Sequence, residues 1–501
     1  MKKIKILALL FLSLFLGSCE KYLDINQDPS NPQVAEGHVL LPALLQSMVR
    51  GEAFDSRYIG QYIQNWHASA AGNTWDRHGY AAGSDAAGEK WRQHYYALGQ
   101  NLLLQIKDGE EKGKWDYSGV AKAIQAWSWQ STTDYHGEMI LKEMFEPNRY
   151  IFDYDTQEEV YAEVVRVANN ALTDLNRTDG IVSTASLARG DLVYKGDRTK
   201  WIKFVYGVLA RNAHHLSNKS SYNPDKVIEY VDKSFASNAD NFNVPHAGTS
   251  STDANFFGPT RNNMGSYRQS AYIVALLDGT ILKAKDPRLP LTLSPSVDGV
   301  YRGVNTTFGD PNSANANTRI PTLWNTVPGV TALTGKYMFQ DKIDYPILTY
   351  SELQFIKAEA LFKKGDKAKA LEAYKNGITA HMNYVGVAAK DQSDYLASAA
   401  VVNVAADLKL SDIMTQKYIA LWGIGCLESW VDMRRYNYSS DVFLGFTLPV
   451  TTQLSADNNG KPAQRVRPRY NSEYVWNRNS LDLIGGNNTD YHTYELWFSK
   501  K

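Results

Sequence analysis

The sequence predicts a mostly α-helical protein, in which a tetratricopeptide-like scaffold carries a loop-rich irregular layer that holds the ligand site. Three observations predict it. Apolar residues recur at three- and four-residue spacing, mainly over residues 89–237 and 349–436. Residues 351–384 fit a helical-hairpin repeat, with Ala358 in the small position of the first helix and Gly365 in the turn. In the second helix Ala370, Tyr374 and Gly377 take the small, aromatic and small positions, where helices must approach closely and a ring must fill the gap. Between the two helical parts, residues 238–345 turn to Gly, Pro, Asn, Ser and Thr with short apolar runs. So long a stretch cannot be one structureless loop in a compact protein, so it is expected to pack as a layer on the helices.

The elements follow in order. Lys2, Lys3 and Lys5 precede an apolar run from Ile6 to Leu16, and Gly17-Ser18-Cys19 closes it. Residues 1–18 are therefore expected to be a lipoprotein signal peptide, cleaved before an acylated Cys19. The run is shorter than the roughly 20 residues of a spanning helix, so the lipid is the expected anchor. Residues 19–38, rich in Asn, Asp and Pro, are a tether, and 39–501 a single domain. Helices are expected at Leu40–Tyr62, Glu89–Lys107, Val120–Asp134, Thr156–Leu175, Thr199–Ser217 and Pro224–Ser237. Asn65–Gly88 breaks the first two apart. The loop layer holds one helix near Ser270–Lys283, and the strongest helical patterns come last, at Ser351–Lys364, Lys367–Met382 and Ser411–Tyr436. The tail from Thr447 is irregular and rich in Asn and Arg.

Composition narrows the function. Lys+Arg and Asp+Glu are both 53, and loss of the three Lys in residues 1–18 leaves the mature chain at a formal −3. Nothing in this balance favours nucleic acid as a partner. With Cys19 lipidated, Cys426 is the only other cysteine, which excludes a disulfide framework. Its apolar surroundings make Cys426 a small core residue. No Gly-x-Ser-x-Gly, P-loop or Cys-x-x-Cys occurs, and no enzyme activity, cofactor or metal is expected. Asp134-x-His136-x-Glu138 lacks the i, i+4 placement of a helical metal pair and reads as a structural turn. His214 and His215 are adjacent on a helix and point to different faces.

Aromatics are abundant, at 12 Trp, 31 Tyr and 17 Phe, and most of the Trp are expected in the core. The ligand candidates are those inside loops. Trp75 and Tyr80 are placed to stack on a sugar ring, with Asn73, Asp76 and Arg77 hydrogen-bonding its hydroxyls. Trp324, between Pro321 and Pro328, is the second aromatic candidate.

The order of these pieces resembles SusD/RagB nutrient-binding outer-membrane lipoproteins of Bacteroidetes, over essentially the whole mature chain. The resemblance rests on Cys19-Glu20-Lys21-Tyr22-Leu23-Asp24 with Asp28-Pro29, on Asp134-Tyr135-His136-Gly137-Glu138, and on Trp201-Ile202-Lys203-Phe204 leading to Arg211. It continues through Tyr350-Ser351-Glu352 to Gly365, Glu428-Ser429-Trp430 with Arg434-Arg435, and Arg469, Tyr470, Glu473 and Asn477. Asn471 stands where that family usually has Pro. The resemblance implies a lipid-anchored protein of the outer membrane, on the cell surface. It would hold an oligosaccharide, or alternatively a peptide, for a SusC/RagA-type TonB-dependent transporter. A protein-binding adaptor is the other reading.

Overall fold

The computed structural model describes residues 36–329 and 335–501. Cys19 and the signal segment lie outside the described residues, as do the first residues of the tether. The helices are α1 (Gly37–Tyr62), α2 (Glu89–Arg92), α3 (Gln100–Lys112), α4 (Trp115–His136), α5 (Gln157–Asn176), α6 (Thr184–Ala188), α7 (Arg198–His215) and α8 (Pro224–Lys233). Then come α9 (Ala271–Leu277), α10 (Leu289–Thr292), α11 (Tyr350–Lys364), α12 (Lys367–Val385), α13 (Ala389–Leu396), α14 (Leu410–Leu421), α15 (Cys426–Arg435) and α16 (Arg478–Leu483). Strands β1 (Trp66–Ala68) and β3 (Tyr267–Gln269) pair antiparallel, as do β2 (Phe242–His246) and β4 (Ile343–Leu348).

The helix ends obey local chemistry. Thr156 and Glu159 form a reciprocal capping box at the start of α5. Asn223 accepts from the Lys226 N–H in front of α8, whose first residue is Pro224. Between α11 and α12, Gly365 sits at φ +91°, where a side chain would be strained, and Asp366 caps the second helix. The antiparallel pairs stack in sequence: α3 on α4, α4 on α5, α5 on α7, α7 on α8, α8 on α11, and α11 on α12 and α14. This is the expected tetratricopeptide-like scaffold. One contiguous core runs from Leu41 in α1 to Val466 in the tail.

The repeat's small positions do what the spacing requires. Ala358 and Ala370 are fully buried, and a Cβ on Gly377 would lie 2.9 Å from the Phe355 ring. Gly377→Ala is therefore expected to overpack the hairpin and cost about 1–3 kcal/mol, read as a lowered midpoint in urea unfolding. An unchanged midpoint would mean the helices separate freely there.

Several boundaries differ from the sequence expectation. Ser411–Tyr436 is two helices, because Gly423 adopts φ +80° and its N–H donates to Asn65 Oδ1 at 2.9 Å. Trp422 Nε1 donates to the Asn65 carbonyl at 2.9 Å, and the Tyr418 hydroxyl donates to the Ile63 and Gln64 carbonyls at 2.9 Å. A contact more than 350 residues away in sequence thus breaks a locally continuous pattern. The Glu89–Lys107 helix runs to Lys112 and contains a π-helical turn at Gln93–Gly99. The helix near Ser270–Lys283 closes at Leu277, and α8 ends at Lys233. The short helix α13 has no counterpart in the periodicity.

Nine tryptophans, at 66, 75, 91, 127, 129, 201, 324, 422 and 430, are buried. Cys426 is a buried free thiol, pushed by burial up to about 12 and hence unreactive at neutral pH. Among the described residues, no helix is long and apolar enough to cross a membrane.

Candidate ligand-binding site

The segment from β1 to Gly88 contains five of the six sequence-predicted ligand residues and brings them together, but mostly to hold the loop itself. The Asn73 side chain accepts from the Trp75 N–H at 2.9 Å, an Asx turn. Trp75 is 5 % exposed, its ring packed 4.8 Å from Tyr58, 5.6 Å from Tyr62 and 5.5 Å from Tyr80. Asp76 is fully buried, 2.8 Å from His67 Nδ1. Arg77 donates to the carbonyls of Gln453 and Leu454 at 3.0 and 3.1 Å, which ties the loop to the tail. Trp324 lies apart from them, 4 % exposed, with Nε1 donating to the Phe257 carbonyl at 2.6 Å. The expectation that Trp75 and Trp324 offer a free ring, and that Asp76 offers a free carboxylate, is therefore corrected. Each is taken up by packing instead, Trp75 against Tyr58 and Tyr62 of α1, Asp76 against His67 and Trp324 against Phe257.

Tyr80 is different. It is half-buried and lines a cavity of about 290 Å³ with Arg467, Tyr470, Tyr474, Arg478, Asn487 and His492. The Tyr470 and Tyr474 rings stack 5.7 Å apart at 16°. The Arg467 guanidinium lies 5.4 Å over the Tyr80 ring and donates to the carbonyls of Gly486 at 3.2 Å and Asn488 at 2.7 Å. Tyr474 shares the Gly486 carbonyl at 2.8 Å. His492 stacks on Tyr80, 6.4 Å between centroids, and its Nε2 lies 2.8 Å from Asn458 Oδ1. Burial, with Arg467 adding, lowers His492 to about 4, so it is neutral at pH 7. Arg478 is exposed at the mouth and Gly83, at φ +70°, brings the backbone up to Tyr470. Tyrosine faces with amide and guanidinium donors suit a ligand with both apolar faces and hydroxyls.

Sequence reasoning missed the tail's share of this cavity. The only signal was the Asn- and Arg-rich composition after Thr447.

The three polar residues of Asp134–Glu138 each take partners of their own. Asp134 accepts from the Tyr161 hydroxyl and lies 3.1 Å from His215, His136 Nδ1 lies 3.0 Å from the Val466 carbonyl, and Glu138 pairs with Arg465. Gly137 ends α4 at φ +92°. Among the described residues no group of three or more His, Cys, Asp or Glu is arranged to hold a metal ion.

A family model described as SusD-like, starch-binding and associating with the outer membrane, matches residues 29–467. The chain belongs to the SusD-like family. Solved structures share the fold of this SusD-like chain at low identity. A chitin-binding protein matches at 21 % identity and TM-score 0.71, covering 93 % of this chain and 99 % of its own. A SusD/RagB family protein from Bacteroides thetaiotaomicron matches at 21 % and 0.69 over the same shares. A chitin-binding SusD homolog from Flavobacterium johnsoniae matches at 19 % and 0.68, over 92 % and 96 %. No curated protein matches this SusD-like sequence.

Proposed function

We propose that this protein binds oligosaccharide at the cell surface, anchored through a lipid on Cys19, and delivers it to a SusC/RagA-type TonB-dependent transporter. The observation that carries the reading is the Tyr80–Tyr470–Tyr474 cavity, in a chain whose family is starch-binding and associates with the outer membrane. The cavity wall includes one carboxylate, Asp457. Glycoside hydrolysis commonly uses a pair, so the reading is capture without cleavage.

The test is calorimetric titration of the soluble chain with starch- and chitin-derived oligosaccharides and with peptides. A glycan that binds the parent is expected to lose about two- to tenfold affinity in Tyr470→Ala, since one stacked ring contributes about 0.5–1.5 kcal/mol. Unfolding midpoints should stay unchanged. Trp75→Ala, by contrast, is expected to lower the unfolding midpoint, because it empties a buried site. Parental affinity in both Tyr470→Ala and Tyr80→Ala would remove the cavity from the reading, and binding of peptides alone would replace the substrate class. Purification of the lipidated protein from outer membranes in mild detergent should bring a large β-barrel with it in equal amount; its absence would count against the transporter partnership.

A further inference from the structure

A second cavity, of about 330 Å³, lies on the other side of the Tyr470–Tyr474 turn and has a different chemistry. Trp91, Tyr95, Tyr96, Phe145 and Phe152 form an aromatic box around it, and Ile140 and Met144 add aliphatic surface. The box is built rather than incidental. Two π-helical turns, Gln93–Gly99 and Tyr470–Tyr474, both contribute to its lining, and such turns are rare and concentrate at functional sites. Phe145 is held at φ +64°, an unfavourable backbone for an aromatic residue, and its ring occupies the space a Cβ on Gly99 would need.

The polar tips of the two inner rings, Trp91 and Tyr95, are already engaged. Trp91 Nε1 donates to Glu473 Oε1 at 3.1 Å, and the Tyr154 hydroxyl and Asn477 amide donate to Glu473 Oε2. The Tyr95 hydroxyl donates to the Ile140 carbonyl at 3.0 Å and accepts its N–H at 2.8 Å. Of the polar lining, the Glu473 carboxylate is already engaged by Trp91, Tyr154 and Asn477, which leaves ring faces and the guanidiniums as the groups open to a ligand. Two cations stand in the wall. Arg92 donates through Nη1 to Glu89 at 3.1 Å, and Arg469 pairs through Nη2 with Asp85 at 2.9 Å. A guanidinium carries five N–H donors, so each retains capacity for an anion.

We propose that this cavity binds an aryl carboxylate, a flat aromatic acid with its ring in the box and its carboxylate on Arg92 and Arg469. The site is separate from the tyrosine cavity and does not depend on the glycan reading. The probe is 3-phenylpropionate, titrated into the full soluble chain by calorimetry, with 3-phenylpropanol as the uncharged comparator. The acid is expected to bind saturably and at least tenfold more tightly than the alcohol. Arg92→Gln with Arg469→Gln should remove that preference and leave the alcohol unaffected. Met144→Trp, which fills the box, should abolish binding of both while the far-ultraviolet circular dichroism stays unchanged. No saturable binding in the millimolar range would overturn the proposal. So would equal affinity for acid and alcohol, or undiminished binding to a folded Met144→Trp.

Discussion

Glu359→Ala is expected to destabilise the protein by about 3–5 kcal/mol, the largest effect of any single substitution considered. Glu359 and Arg435 are both fully buried and meet as a two-pronged pair at 2.6 and 2.9 Å. Arg435 also reaches Asp432 at 2.6 Å and Ser217 at 2.7 Å, and His214 Nε2 lies 2.8 Å from Glu359. Burial alone would raise the Glu359 carboxyl, but Arg435 and then His214 hold it well below the usual range. The cluster continues through Lys417, 2.8 Å from Asp432, to Glu428, and through Arg211 to Glu352 at 2.5 Å. Its members come from α7, α11, α14 and α15, so it pins the stacked pairs in one register. Removing the Glu359 carboxylate leaves Arg435 with Asp432 as its remaining counter-charge, which Lys417 already shares, and takes the two-pronged acceptor away from a guanidinium in a dry interior. Replacing both, as Glu359→Leu with Arg435→Met, should recover much of the loss. Urea unfolding of the two variants checks this. A single substitution that costs under about 1 kcal/mol would place the pair in solvent-like surroundings.

Between pH 6.5 and about 9 the protein is expected to lose about 3 kcal/mol of stability through His215 alone. Burial opposes its charge, but Glu428 at 3.0 Å and Asp134 at 3.1 Å outweigh burial and push it up to about 9. The folded state therefore holds this proton more tightly than the unfolded one. The contribution is full below pH 6.5 and drains as the pH rises through 9. Asp55, raised by burial to about 8, acts in the same direction up to that pH. On the acid side the sign reverses for His78, His94 and His136, which burial lowers to about 3. These must stay neutral in the fold, so they withdraw stability as the pH falls below 6.5. Unfolding free energies of the parent and of His215→Gln, measured from pH 6 to 9.5, separate the groups. The parent should fall more steeply by up to about 1.4 kcal/mol per pH unit, one proton's worth. Parallel curves would show that His215 does not carry the charge.

Much of the scaffold was legible because its signals are local. The Ala358, Gly365, Ala370, Tyr374 and Gly377 spacing marks a hairpin whether or not the rest of the chain is known. The Thr156/Glu159 box and Asn223-Pro224 likewise mark helix starts from a few neighbouring residues. Of the proposed site, only Tyr80 was legible. Trp75 looked the same in the sequence, an aromatic in a polar loop. What separates them is that Tyr58, Tyr62 and Tyr80 close around one ring while the tail leaves part of the other open.

The sequence by itself determined the helical class, the repeat, the loop-rich layer and the family, since each rests on spacing within a short window or on the order of motifs. The tertiary structure decided which loop aromatics are packed and which line a cavity, where the Ser411–Tyr436 pattern breaks, and that the tail walls both cavities. Those outcomes depend on pairs such as Asn65 with Gly423, Arg77 with Gln453, and Tyr80 with Arg467, each separated by more than 350 residues. Burial is a property of what arrives from elsewhere in the chain, and no local pattern encodes it.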